Sequence, residues 1–232
     1  MSSYQFFDLA PVLREMRDDV LEGLLAKQKY LSPKYFYDEQ GSALFDAITR
    51  LPEYYPTRTE TALFETHSAE IARHFSGAVT LIEYGSGSSR KIRALLEGWL
   101  DIYAVCADYS QPIELPVAIP RNQPMAFFPG SSIGNFAPDA ARQFLERVRS
   151  LVGNEGKLLI GVDRKKDPVI LEAAYNDAAG VTAQFNLNVL THLNRELDGN
   201  FEREKFAHRA IYNSDEGTIQ MFLESLADQS VR

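Results

Sequence analysis

The sequence predicts an α/β fold, a parallel-sheet core framed by segments of a different style. Three observations point to it. A short β-branched run from Ala78 to Tyr84 ends in Gly85-Ser86-Gly87-Ser88-Ser89, and Ile92, Leu95, Leu96 and Trp99 then step at helical spacing. Strand, glycine turn and helix is the unit that opens a doubly wound sheet. Further apolar runs at Ile102–Ala107, Met125–Phe128 and Leu158–Val162 read as strands, with a helical stretch between the last two. Outside about residues 77–167 the chain reads instead as helices, aromatic loops and one hairpin.

Taken in order, Leu13, Met16, Val20 and Leu24 mark an amphipathic first helix. An aromatic loop, Lys34-Tyr35-Phe36-Tyr37-Asp38, leads to a short helix after Ser42 with Leu44, Phe45 and Ile48 inward. Leu51-Pro52-Glu53-Tyr54-Tyr55-Pro56-Thr57-Arg58 has two prolines around two tyrosines, which predicts a stiff loop. Thr57 and Glu60 form a capping box that opens a helix to about Phe75, with Leu63, His67, Ile71 and Phe75 on one face. Beyond the first strands, helices are predicted at Pro138–Leu151 and Pro168–Tyr175, the latter with Asp167 as N-cap. A long helix follows over Val181–Leu197, with Phe185, Val189, Leu193 and Leu197 on one stripe. Phe206–Tyr212 and Thr218–Leu226 alternate as strands and are joined by Asn213–Gly217 as a hairpin loop.

Composition narrows the function. The chain has 232 residues, a net charge of −8, 45% apolar residues and one cysteine, Cys106. The acidic balance argues against a nucleic-acid or anionic-membrane partner. One cysteine makes no internal disulfide, so the reducing cytoplasm is the expected compartment. The N-terminus has no signal-peptide pattern, and no run approaches the roughly 18 apolar residues of a membrane span. His67, His74, His192 and His208 show no metal-ligand spacing, so no metal is expected.

Two motifs carry chemistry. In Glu83-Tyr84-Gly85-Ser86-Gly87, glycines let the backbone approach a nucleotide, and an acid two positions before the first glycine is the pattern of S-adenosylmethionine methyltransferases. The alternative is a tight strand-to-helix turn with no ligand. Gly130-Ser131-Ser132-Ile133-Gly134 matches the nucleophile elbow, with Ser132 as nucleophile and Asp163 with His192 or His208 as partners. Its context is poor, because Pro129 precedes the glycine and Asn135–Pro138 delays the helix. A binding module without turnover is the third class.

Five blocks in order carry a resemblance. Phe36-Tyr37-Asp38, Leu51–Arg58, Glu83–Lys91, Phe128–Phe136 and Ala174–Asn186 resemble the histidine Nα-methyltransferases of ergothioneine biosynthesis over nearly the whole chain. The resemblance implies a Rossmann-like S-adenosylmethionine-binding domain over 59–168 and a smaller α+β substrate lobe from 1–58 plus 169–232. It implies Gly85, Ser86, Gly87 and Lys91 at the methionine end of the cofactor, and Asp108 and Tyr109 at its adenine. Tyr37, Asn135 and Tyr175 are implied at the amino acid's amine and carboxylate, with Gly130 beside them, Tyr54 near the imidazole, and Tyr37 and Asn135 as the catalytic pair. Read without the resemblance, each tyrosine is an aromatic in a lobe interface. The implied reaction methylates the α-amine of histidine three times to hercynine, in a monomer. Another amino acid, such as tryptophan, is the alternative substrate.

Two departures stand out. Asp108 lies 21 residues after Gly87, where spacing alone would make it the ribose-binding acid. Against the family, Ile102–Tyr109 matches a third strand instead, and a βα unit of roughly 30 residues is missing between Leu100 and Asp101. The chain also stops at Arg232, before the family's imidazole-recognising Glu and Ser. A longer encoded protein is therefore expected.

Overall fold

The computed structural model describes residues 4–9, 16–74, 80–84, 102–106 and 113–232. In chain order the elements are β1 (Tyr4–Asp8), α1 (Met16–Leu25), α2 (Glu39–Ile48), α3 (Tyr55–Arg73), β2 (Leu81–Glu83), β3 (Ile102–Cys106), β4 (Met125–Phe128), α4 (Pro138–Val152), β5 (Lys157–Ile160), α5 (Pro168–Tyr175), α6 (Val181–Leu197), β6 (Phe206–Asn213) and β7 (Thr218–Ser225). The chain forms two compact units, residues 1–13 with 59–163 and residues 14–58 with 164–232.

The first unit holds a parallel sheet in the order β2-β4-β5. β4 is its central strand and is buried along its whole length, as a strand covered on both faces requires. Ala126 and Phe127 have 0% exposure. Phe128 packs with Phe144, Val148 and Val152 of α4 and with Tyr84. Each such ring is worth about 1.5–3 kcal/mol once removed from water. Phe64 of α3 meets Phe127 edge-on at 5.6 Å.

Several expectations change here. α3 begins at Tyr55, with Pro56 in its first turn, so Thr57 is inside the helix and there is no capping box at that point. Pro is tolerated in a first turn because the missing N–H has no helical partner there. The inward face of α3 carries Phe64, whereas Leu63 is 53% exposed, because it is the Phe64 ring that reaches Phe127. Residues 4–8, which have no obvious strand signature, pair in parallel with 102–106 and join the first unit, although the sequence groups 1–58 together. The second helix also starts earlier than expected, at Glu39 with Asp38 as its cap rather than after Ser42, and the last four residues of the predicted Leu51–Arg58 loop are helical.

The second unit is built on α6. Val189, Leu190 and Leu193 pack with Val20 of α1 and Tyr35, while Phe185 packs with Ile48, Tyr54 and Ala174. The hairpin β6–β7 pairs Phe206 with Ser225 through to Asn213 with Thr218. Its turn is closed by Gly217, at φ 70°, donating its N–H to the Asn213 carbonyl at 2.7 Å.

Candidate active site

In the first unit the candidate residues follow the carboxyl ends of parallel strands. Glu83 ends β2 and stands in register with Phe127 of β4. Immediately after β4 the chain turns through two left-handed residues, Gly130 at φ 79° and Ser131 at φ 56°. The second costs energy in any residue with a Cβ. A 3-10 turn, Ser132–Asn135, then presents Asn135 at the surface.

Side chains hold this turn. Glu60 of α3 accepts the Gly130 N–H at 2.7 Å, and a Cβ at Gly161 would collide with the same carboxylate oxygen. The glycine is therefore what lets Glu60 reach the turn. Ser131 Oγ accepts the Asp163 N–H at 2.9 Å, tying the turn to the segment after β5. Glu60 was expected as part of a cap; its actual partner is 70 residues away, which no local pattern shows.

In the second unit, Tyr37, Tyr54 and Tyr175 come from three separate segments and join one aromatic cluster. Tyr37 stands edge-on to Phe45 at 5.5 Å and to Phe185 at 5.7 Å. Tyr54 stands edge-on to Phe45 at 6.2 Å and to Tyr175 at 6.0 Å. Edge-to-face pairs at such distances are the preferred aromatic arrangement. Tyr54 is buried, whereas Tyr37 keeps 49% exposure.

The backbone around these tyrosines is fastened by polar side chains whose fastening role the sequence reading did not give. Arg58 donates to the carbonyls of Leu51 at 2.6 Å, Pro52 at 2.8 Å and Tyr54 at 3.1 Å, stapling the loop that carries Tyr54. His192 bonds the Tyr35 carbonyl through Nδ1 at 2.8 Å. Asp38, next to Tyr37, caps α2 by accepting the Gly41 N–H at 2.8 Å, and it also accepts from Asn188 at 2.8 Å and Arg195 at 3.1 Å. A Cβ at Gly41 would strike the Phe36 carbonyl, so glycine is needed where the helix starts against that loop. Burial alone would raise the Asp38 carboxyl, but the bonds from Gly41, Asn188 and Arg195, with the field of His192, leave it below the ordinary range. Asn188, His192 and Arg195 recur at four and three residues on α6, so one polar face of that helix holds the loop on both sides of Tyr37.

The serine-nucleophile alternative fails on its proposed base. His208 bonds Asn186 through Nδ1 at 2.9 Å and the Tyr175 carbonyl through Nε2 at 2.8 Å, so neither nitrogen is available for a serine proton. His192 Nδ1 is committed to Tyr35. Ser132 Oγ itself donates to the Pro129 carbonyl at 3.2 Å. The left-handed residues of the turn are Gly130 and Ser131 rather than Ser132, and a 3-10 turn follows in place of the elbow's helix. Gly85, Ser86, Gly87, Lys91, Asp108 and Tyr109, expected at the cofactor, lie outside the described residues. Among the described residues no group of three or more His, Cys, Asp or Glu stands together, and no helix is long and apolar enough to cross a membrane.

Comparison with known proteins shows the family. A family model described as a histidine-specific, S-adenosylmethionine-dependent methyltransferase matches residues 16–103 and 98–232. The two matched segments change over around Leu100–Asp101, the junction where the sequence analysis expects a further βα unit. The histidine N-alpha-methyltransferase of Mycolicibacterium smegmatis is 42% identical over 249 residues, covering 94% of this chain and 77% of that protein. The histidine N-alpha-methyltransferase of Mycobacterium tuberculosis is 40% identical over 250 residues, with the same coverage. Ergothioneine biosynthesis protein 1 of Neurospora crassa is 31% identical over 232 residues, covering 84% of this chain and 26% of that protein.

Proposed function

We propose, from the premise that this chain belongs to the histidine-specific, S-adenosylmethionine-dependent methyltransferases, that it methylates the α-amine of L-histidine three times, giving hercynine for ergothioneine synthesis. The methyl donor is S-adenosylmethionine. The observation that carries the reading is the gathering of three tyrosines in one cluster, with Tyr37 and Tyr54 against Phe45 and Tyr175 against Tyr54. Three hydroxyl-bearing rings brought together from distant segments suit a small zwitterion with a flat side chain. A plain apolar core would use phenylalanine at those places.

Two described features fit the cofactor. Glu83 is an acid at the end of β2, and the parallel order β2-β4-β5 gathers the carboxyl ends of these strands on one side, where nucleotide-type ligands bind. Gly85, Ser86, Gly87 and Lys91 are proposed at its methionine end and Asp108 and Tyr109 at its adenine. When bound, the cofactor supplies a methyl group on a sulfonium, a good leaving group.

The chain's own residues then have three tasks. They must align the amine lone pair with the methyl carbon, exclude water, and favour the uncharged amine, which ordinarily titrates at about 8. In each transfer the lone pair forms the N–C bond as the C–S bond breaks, and the amine gives up a proton. Asn135, proposed at the amine, offers both a donor and an acceptor. The Gly130 N–H is committed to Glu60, so the group Gly130 would offer the amine is its carbonyl. Tyr175 and Tyr37 are proposed at the carboxylate and amine, and Tyr54 near the imidazole. Tyr37, proposed at the amine, would also give the growing trimethylammonium an aromatic ring as a cation–π partner. We place the enzyme in the cytoplasm as a monomer.

The test is to incubate protein, S-adenosylmethionine and histidine and to follow histidine carrying one, two and three methyl groups by mass spectrometry. Methylation of tryptophan alone would keep the reaction and move the substrate. Binding of histidine without turnover would reduce the protein to a binding module.

A further inference from the structure

Among the described residues, strand β6 pairs with β7 on one side only. Its other edge is covered by side chains from α5 and the residue after it. Glu172 Oε1 accepts the Tyr212 N–H at 2.9 Å. The Asn176 side-chain amide donates to the Ala210 carbonyl at 2.8 Å and accepts the Ala210 N–H at 3.2 Å, imitating a strand pair. At the third position along this edge, the His208 side chain reaches back to the Tyr175 carbonyl at 2.8 Å.

The proton on His208 is set by its neighbours. Asn186 is 2% exposed. Its Nδ2 lies 2.9 Å from the Phe222 carbonyl, which can only accept, so this atom is the amide nitrogen. The same Nδ2 lies 2.9 Å from His208 Nδ1, which must therefore accept. The ring proton is on Nε2 and points at Tyr175. A directed chain of bonds thus runs from Asn186 of α6 through His208 of β6 to the carbonyl that ends α5.

That carbonyl belongs to the last residue of an eight-residue helix, where backbone acceptors have no helical partner. The same residue carries the ring packed edge-on against Tyr54. We propose that His208 is a positioning residue of the methyl-transfer site, holding the Tyr175 main chain so that its ring meets the amino acid. The proposal rests on the reading of Tyr175 as a substrate-binding residue. His208 touches no substrate, and its effect is expected on the amino acid alone.

The test compares two substitutions that lose the same ring. In His208→Gln, the side-chain amide nitrogen falls where Nε2 stood and can still donate to Tyr175. In His208→Asn, the amide oxygen falls where Nδ1 stood and can still accept from Asn186, but the side chain is too short to reach Tyr175. The expected result is a KM for histidine raised roughly tenfold in His208→Asn, as for a lost bond of about 1.4 kcal/mol. KM for S-adenosylmethionine stays at the wild-type value, and His208→Gln stays within about threefold for histidine. His208→Met, which fills the space without a donor, follows His208→Asn and serves if that variant does not fold. Equal behaviour of His208→Gln with His208→Asn and His208→Met overturns the proposal. Tyr175→Phe is run beside them. If it leaves the KM for histidine unchanged, the reading of Tyr175 falls and the proposal with it, while methylation of histidine by the wild-type protein stands on its own measurement.

Discussion

The Gly130–Asn135 turn and the tyrosine cluster both carry residues proposed to meet the amino acid, yet they are held in opposite ways. The turn is a short exposed piece of backbone with two successive left-handed residues, secured by Glu60 and Ser131. The cluster is a set of rings packed on one another, with Tyr54 and Phe185 buried and the backbone behind them fastened by Arg58, Asp38, His192 and His208. A turn with few ties concentrates its precision, so one substitution should misplace the reacting group. A packed cluster shares the load, so single losses should weaken binding and leave the chemical step largely intact.

Asn135→Ala should break the turn's side of this contrast most severely, lowering kcat roughly a hundredfold with a smaller change in KM, as expected for a group that aligns the reacting nitrogen. Steady-state kinetics with histidine checks it. A change in KM alone would move Asn135 to the binding side. Glu60→Ala should follow, lowering kcat about tenfold by releasing the Gly130 N–H, a loss near 1.4 kcal/mol. Tyr175→Phe belongs to the cluster and should raise the KM for histidine about threefold to tenfold with kcat nearly unchanged.

Asp38 sharpens the comparison on stability. Its folded carboxyl titrates below the ordinary range, so its contribution is complete above about pH 4, the ordinary carboxylate value, and is lost as pH falls through the lower folded value. Asp38→Ala should cost about 2 kcal/mol at neutral pH, from the lost cap and the stranded Asn188 amide. The difference between wild type and variant should shrink in acid, as read by denaturant melts at several pH values. Ser132→Ala should do least, leaving methylation within about twofold and revealing no esterase activity to lose.

Much of this was legible in the sequence, for a physical reason. Helices and strands write their burial at fixed periods, so Val181–Leu197 and Met125–Phe128 were found at their observed positions. Tyr37, Tyr54 and Tyr175 were singled out only by the family resemblance, and the structure gathers their rings in one cluster. The fastening contacts were not legible. Glu60 to Gly130 spans 70 residues, His192 to Tyr35 spans 157, and His208 to Tyr175 spans 33. A bond between a lone side chain and a distant backbone atom leaves no periodic trace. The pairing of residues 4–8 with 102–106 was missed likewise, because five residues are too few to show alternation against background.

The reaction proposed for this chain is methylation of the α-amine of histidine. The most direct measurement is a competition in which histidine and tryptophan are supplied together with S-adenosylmethionine and the products are followed by mass spectrometry. The predicted result is histidine carrying one, then two, then three methyl groups, all on the α-nitrogen by fragmentation, with tryptophan unchanged. Methylated tryptophan with unmodified histidine, or methyl groups on the imidazole, would contradict it.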